Sequence, residues 1–213
     1  MLMTILSILL GYLLGSIPFA LIIGLVFYKT DIRKFGSGNL GGTNAGRILG
    51  KKAGIAVIVC DVLKVVLAVG LASLISQIAA FGCGVACCVG HCYPIFAHFK
   101  GGKAVSTVYG FLLSCSIFIF HNAWYFVLPF LMFFIVLYLF KFVSLGSICG
   151  CLMSSLLITM TKFSLNANNI FLIAASWFMT ILVIYRHRTN IEKIKTGTEN
   201  KISWMLALHY GEC

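Results

Sequence analysis

Residues 123–161 read AWYFVLPFLMFFIVLYLFKFVSLGSICGCLMSSLLITMT, two apolar runs separated by the cation Lys141. A helix needs roughly 20 such residues to cross a hydrocarbon core of about 30 Å, and each run is close to that length. Neither run alternates apolar with polar residues, which disfavours barrel strands. Working outward, similar runs recur at about 2–27, 54–76, 78–97, 104–120 and 169–185. With 123–140 and 143–161 they predict an all-α integral membrane protein, a bundle of about seven transmembrane helices forming a single domain over 1–213. The third and fourth spans are the most diluted by Gly, Cys and Ser.

Composition agrees with a membrane protein. The 213 residues are 61% hydrophobic and only 10% charged, yet the net charge is +11, and mean hydropathy is +1.04. Disorder requires low hydrophobicity, and ordinary soluble domains are roughly 45–50% apolar. A nucleic-acid partner would account for the charge but not for the hydropathy, so none is expected. A membrane protein accounts for both if its cations lie on one side. Of the 16 Lys and Arg, 14 fall after spans one, three, five and seven; Lys162 alone falls on the other side, and Lys64 lies inside the second span. This split predicts an outside N-terminus and a cytoplasmic C-terminus. The first span lacks a basic leader and a small-residue cleavage site, so it is read as retained, with a kink at Pro18 beside Gly15 and Ser16.

Polar residues that topology leaves unexplained gather in three clusters on the cationic side. The first is SGNLGGTNAGR, 37–47. Its glycines allow close backbone approach and an anion-binding nest. Ser37, Gly38, Asn39, Thr43 and Asn44 are candidate phosphate contacts, and Arg47 is a bidentate phosphate donor. The competing reading is a flexible loop. The second cluster joins GHCYP, 90–94, to FKGGK, 99–103. Here Lys100, Gly101, Gly102 and Lys103 offer two ammonium groups on a bare backbone, although the spacing is not that of a Walker A loop. The competing reading for both lysines is topology alone.

The third cluster is RHRTNI, 186–191, followed by Gly197, Glu199 and Lys201; its basic residues are expected as membrane anchors just beyond the seventh span. His187 and Asn190 would share a face if the seventh span continued, and His187 suits a general base or hydrogen-bond donor near neutral pH. Asp61 and Lys64 lie deep in the second span, read either as an ion pair that positions helices or as a polar floor beneath a site. His91 and Glu199 join them as supporting residues. The nine cysteines form no CxxC pair and most lie within spans, so no metal site is expected. Trp204, Met205 and Leu206 suit a membrane interface.

Together, and in this order, SGNLGGTNAGRILGKKAG, GHCYPIFAHFKGGKA and RHRTNI…G.E.KI closely resemble the three cytoplasmic motifs of the bacterial PlsY family. The stretches GSIPFALIIG, 15–24, and Val143–Ser147 also look like family segments. The resemblance covers nearly the whole chain. It implies an enzyme of the inner membrane, with its active site facing the cytoplasm. That enzyme transfers a fatty acyl group from acyl phosphate to the 1-hydroxyl of sn-glycerol 3-phosphate. The products are lysophosphatidic acid and phosphate, the first step of phospholipid synthesis. The resemblance implies no cofactor and no metal, and the sequence sets no oligomeric state. Arg47, Lys103, His187 and Asn190 are the expected catalytic residues, with direct transfer rather than an acyl-enzyme. The proton would go to His187, less favourably to His91, or to the leaving phosphate. The competing class is an anion transporter, which would distribute polar groups through the midplane.

The chain departs from the usual family motifs. Leu40 and Gly42 stand where SGNPGATN has Pro and Ala. Ala104 and Ser106 stand where FKGGKGVAT has Gly and Ala. Ala104 is expected to be the first helical residue of the fourth span, where Ala is favourable. Were that position left-handed, Ala would be strained by roughly 1 kcal/mol or more.

Overall fold

The computed structural model describes residues 1–202; Trp204, Met205 and Leu206 lie outside them. The first apolar run forms two helices, α1 (Leu2–Gly15) and α2 (Phe19–Tyr28). Pro18 lacks an N–H, so the break frees carbonyls inside the apolar layer. One of them, Ile17 O, accepts hydrogen bonds from Lys64 Nζ at 2.9 Å and from Phe19 N at 3.2 Å. The kink expected at Pro18 is therefore present, and a cation from the second span satisfies it.

A short 3₁₀ turn (Ile32–Lys34) leads to α3 (Gly42–Leu49), which packs on α4 (Lys51–Ser73). Half of the glycine-rich stretch read as a loop is thus helix. Two of its glycines serve close packing: a Cβ on Gly54 would lie 2.6 Å from Gly46 Cα and 2.9 Å from Gly42 O. Small residues let helices meet in this way.

The chain continues through α5 (Gln77–Cys92), a 3₁₀ turn (Ile95–Ala97), α6 (Val105–Phe118), α7 (Trp124–Phe140), α8 (Val143–Lys162), α9 (Ala167–Arg186) and α10 (Arg188–Lys195). Among the described residues, five segments are long and apolar enough to cross a membrane, with α1 and α2 together forming one of them. The expected spans 104–120 and 123–140 correspond to shorter apolar helices of 14 and 17 residues. The third expected span ends its regular helix at Cys92, where Tyr93 and Pro94 stop it.

α1 packs against α5 through Gly11 and Gly15, whose missing side chains admit the backbone of Cys83 and Cys87. The core between α4, α5, α6 and α8 is apolar, with Phe81 edge-on to Phe111 and Tyr109 edge-on to Phe126, Phe130 and Phe133. Cysteines fill it as small apolar residues: Cys83, Cys87, Cys88 and Cys115 are buried and unpaired.

Candidate active site

The three clusters meet at one end of the bundle. In the first, Asn44 is only 2% exposed. Its side-chain oxygen accepts from Ser37 N at 3.0 Å, and its amide donates to Ile32 O and Phe35 O, both at 3.3 Å. Asn44 therefore shapes the loop from within and, contrary to expectation, has no amide hydrogen left for a phosphate. Asn39 Nδ2 donates to Ser37 Oγ at 3.2 Å, and Gly38 supplies a left-handed turn at φ 68. Ser37, Thr43 and Arg47 are exposed, with Arg47 in the last turn of α3.

In the second cluster, Gly101 and Gly102 lie on His91. A Cβ on Gly101 would overlap His91 O, and one on Gly102 would overlap His91 Nε2. Gly102 N–H is committed inward, donating to His91 O at 3.0 Å. These glycines are bare on the side that meets the protein, so their first role is packing rather than ligand approach. Lys100 is exposed, and among the described residues its side chain makes no hydrogen bond.

The fourth-span expectation at Ala104 is corrected. Ala104 is not the first helical residue but the N-cap of α6, in the left-handed region at φ 61, ψ 8. Its carbonyl accepts from Val108 N and from Thr107 Oγ1, both at 2.8 Å. The chain must turn from the loop into α6 at this residue, and a fully buried Ala holds the turn where a Gly would be relaxed.

In the third cluster, α9 stops at His187, which separates it from α10 (φ −97, ψ 5). The seventh span does not simply continue, but Asn190 N donates to His187 O at 2.9 Å and keeps the two residues together. Lys103 Nζ donates to Asn190 Oδ1. Asn190 Nδ2 donates to Glu199 Oε1 at 2.6 Å, and the same oxygen accepts from Ser144 Oγ at 2.9 Å. Glu199 thus sets which way the Asn190 amide faces. Ile202 N donates to Lys141 O at 3.0 Å, tying the segment after α10 to the corner between α7 and α8.

Burial pushes Lys103 down to about 8; Glu199 opposes the shift, while Arg186, Lys193 and Arg47 reinforce it. Arg47 of the first cluster is therefore within Coulombic reach of Lys103. His187 is 3% exposed, and burial, then Lys103, push it down to about 4. Its Nδ1 lies 2.8 Å from Val183 O. A carbonyl only accepts, so Nδ1 carries the hydrogen and Nε2 keeps its lone pair. His187 is a neutral imidazole at neutral pH.

Beneath the second cluster lies the ion pair Lys64 Nζ–Asp61 Oδ1, 2.8 Å, with His91 Nδ1 3.5 Å from Asp61 Oδ1 and 3.3 Å from Lys64 Nζ. Ser106 Oγ reaches Asp61 Oδ2 at 3.5 Å. Lys64 braces the helix break at Ile17, in line with the helix-positioning reading, and the pair also contacts the histidine under the glycines. Sequence reasoning gave no role to Ser144 and expected Arg186 only as a membrane anchor. Ser144 lay in a stretch singled out by resemblance, but its partner is 55 residues away.

An apolar bundle carrying cations, an amide and a neutral imidazole at one end defines an integral membrane protein whose polar end suits anions. The Glycerol-3-phosphate acyltransferase family model matches residues 5–197. The glycerol-3-phosphate acyltransferase of Bacillus subtilis is 45% identical over 201 residues, covering 94% of this chain and 98% of that one. The crystal structure of PlsY, an integral membrane glycerol 3-phosphate acyltransferase, in its glycerol 3-phosphate form superposes with TM-score 0.85 at 32% identity, covering 96% of this chain and 98% of that one. The lysophosphatidic acid form of PlsY gives TM-score 0.83 at 30% identity, covering 97% and 98%. The chain belongs to the PlsY family of glycerol-3-phosphate acyltransferases and is a membrane acyltransferase of phospholipid biosynthesis.

Proposed function

We propose that the enzyme uses acyl phosphate as donor and acylates the 1-hydroxyl of sn-glycerol 3-phosphate, releasing lysophosphatidic acid and inorganic phosphate. The single observation that carries this reading is the convergence of Arg47, Lys103, Asn190 and His187 at one end of an apolar bundle. Two phosphates need cations there, and the acyl chain can remain in hydrocarbon. Arg47 and Lys103 neutralise the phosphates, with Lys100 at the rim. Ser37, Asn39 and Thr43 supply hydrogen bonds beside the Gly38 turn, and Asn44 holds that loop in shape.

Acyl phosphate is a mixed anhydride, already activated, so positioning and charge neutralisation suffice. The substrate hydroxyl oxygen bonds to the acyl carbon as the acyl–oxygen bond to phosphate breaks. Neutral His187 orients the hydroxyl through Nε2. An imidazole held near 4 is a weak proton acceptor, so the proton ends on the departing phosphate.

The site end faces the cytoplasm of the inner membrane in this reading, with seven crossings and the N-terminus outside. The path of α6 and α7 supports the count. The chain leaves the site at Ala104, Tyr125 OH bonds Thr161 Oγ1 near the far end of α8, and Lys141 O returns to bond Ile202 N beside the site. The test is donor choice. Purified enzyme should form lysophosphatidic acid from palmitoyl phosphate and glycerol 3-phosphate but not from palmitoyl-CoA. Equal or better use of the thioester would overturn the donor assignment.

A further inference from the structure

Arg186 was expected only as a basic residue at the membrane edge. Its guanidinium instead points at the backbone of the second cluster, 84 residues away in sequence. Nε donates to Gly102 O at 3.0 Å, and Nη2 donates to Gly101 O at 3.1 Å. The same group stacks over the Tyr93 ring, 5.2 Å from its centroid. Tyr93 is held in turn, because Tyr12 OH on α1 donates to Tyr93 O at 3.0 Å. Two consecutive carbonyls therefore converge on one planar fork, which is itself braced by a ring.

This arrangement has an electrostatic consequence. Carbonyl oxygens beside a phosphate would repel it. With both engaged by Arg186, their negative ends are neutralised and held in place, and Lys103 follows directly from the fixed backbone. Two of the guanidinium nitrogens are spent on this task. Lysine carries the same charge but has no fork.

We propose that Arg186 is the positioning residue of this loop: its fork, braced on Tyr93, fixes the shape of Gly101–Lys103 and hence the place of the Lys103 ammonium, and it is not a phosphate ligand. The inference rests on Lys103 serving the reaction.

The test compares purified Arg186→Lys, Arg186→Ala, Tyr93→Phe, Tyr93→Leu and Lys103→Gln in vesicles, with palmitoyl phosphate and glycerol 3-phosphate. Misplacing a catalytic group by about 1 Å costs up to about 100-fold. Both Arg186 variants should therefore lose roughly 30- to 100-fold in kcat/KM, the lysine faring no better than the alanine. The loss should fall in the same parameter, kcat or KM, that Lys103→Gln moves. Tyr93→Phe keeps the ring and should stay within about twofold, whereas Tyr93→Leu should fall severalfold. If the Arg186 variants do not fold, the Tyr93 pair carries the test, and equal activity of Phe and Leu overturns the proposal. Activity of Arg186→Lys within about threefold of wild type, with Arg186→Ala impaired, would assign a charge role and overturn it. Wild-type turnover by Lys103→Gln would overturn the reading of Lys103 instead, whatever Arg186 does.

Discussion

The Lys103 ammonium donates to the side-chain carbonyl of Asn190, joining two clusters that lie 87 residues apart. Asn190 is oriented by Glu199, and Glu199 by Ser144. The Lys103 ammonium therefore sits at the end of a relay whose other end is anchored on α8.

That relay has a pH signature. Lys103 is charged below about 8, so turnover that needs its charge should fall as pH rises through that value. His187 already stays neutral down to about 4, so it should add no acid limb between roughly pH 5 and 7. Glu199 supports the charged form of Lys103. Glu199→Gln should move the alkaline limb to lower pH, as read from kcat/KM profiles, and an unmoved limb would contradict the coupling.

Ala104 carries backbone strain that can be relieved. At φ 61 an L-residue costs about 1–2 kcal/mol. Glycine removes that cost but loses more chain entropy on folding, about 0.5–1 kcal/mol. Ala104→Gly should therefore stabilise by up to about 1.5 kcal/mol, raising Tm by up to roughly 3–6 °C with activity kept. Ala104→Val should be destabilising, because branching at a left-handed position adds strain. A lower Tm for the glycine variant would show the turn to be unstrained.

Gly102 and His91 make a reciprocal pair. A methyl on Gly102 overlaps the His91 ring, whereas a methyl on Gly101 overlaps the His91 backbone oxygen. Gly102→Ala should lose roughly tenfold or more in kcat/KM, and His91→Ser should restore part of it by making room. Gly101→Ala should not respond to the same second change. Strictly additive losses in the Gly102 pair would refute the packing account.

Lys64 and Asp61 are 3% and 1% exposed at their side chains. Removing one partner of a buried pair leaves an uncompensated charge and costs about 3–5 kcal/mol. Lys64→Met should be strongly destabilising, also because it leaves Ile17 O with only the Phe19 N–H as donor. Asp61→Asn in the Lys64→Met background should recover part of the loss in thermal unfolding. No recovery would mean that the Ile17 cap, not the pair, dominates.

Much of this was legible in the sequence because it depends on composition and local pattern. Long apolar runs and the sorting of cations pointed to the membrane fold, and Pro18 marked the break. Local reading failed where a partner from another helix decides the outcome. Gly42 and Gly46 read as loop residues until Gly54 showed that they pack a helix. Ala104 read as helical because Ala favours helices, but the turn out of the glycine loop imposed a left-handed cap. Asn44 read as a phosphate ligand, yet the carbonyls of Ile32 and Phe35 occupy it. Arg186 read as an anchor because its partners, two backbone oxygens, carry no sequence signal.

The most direct test measures lysophosphatidic acid and phosphate together, from palmitoyl phosphate and glycerol 3-phosphate, for wild type, Arg47→Ala and Lys103→Ala reconstituted in vesicles. The predicted result is equimolar release of both products by wild type, and at least about 100-fold lower rates in both variants despite normal insertion. Failure of the wild type to form lysophosphatidic acid, or near-normal turnover in either variant, would contradict the account.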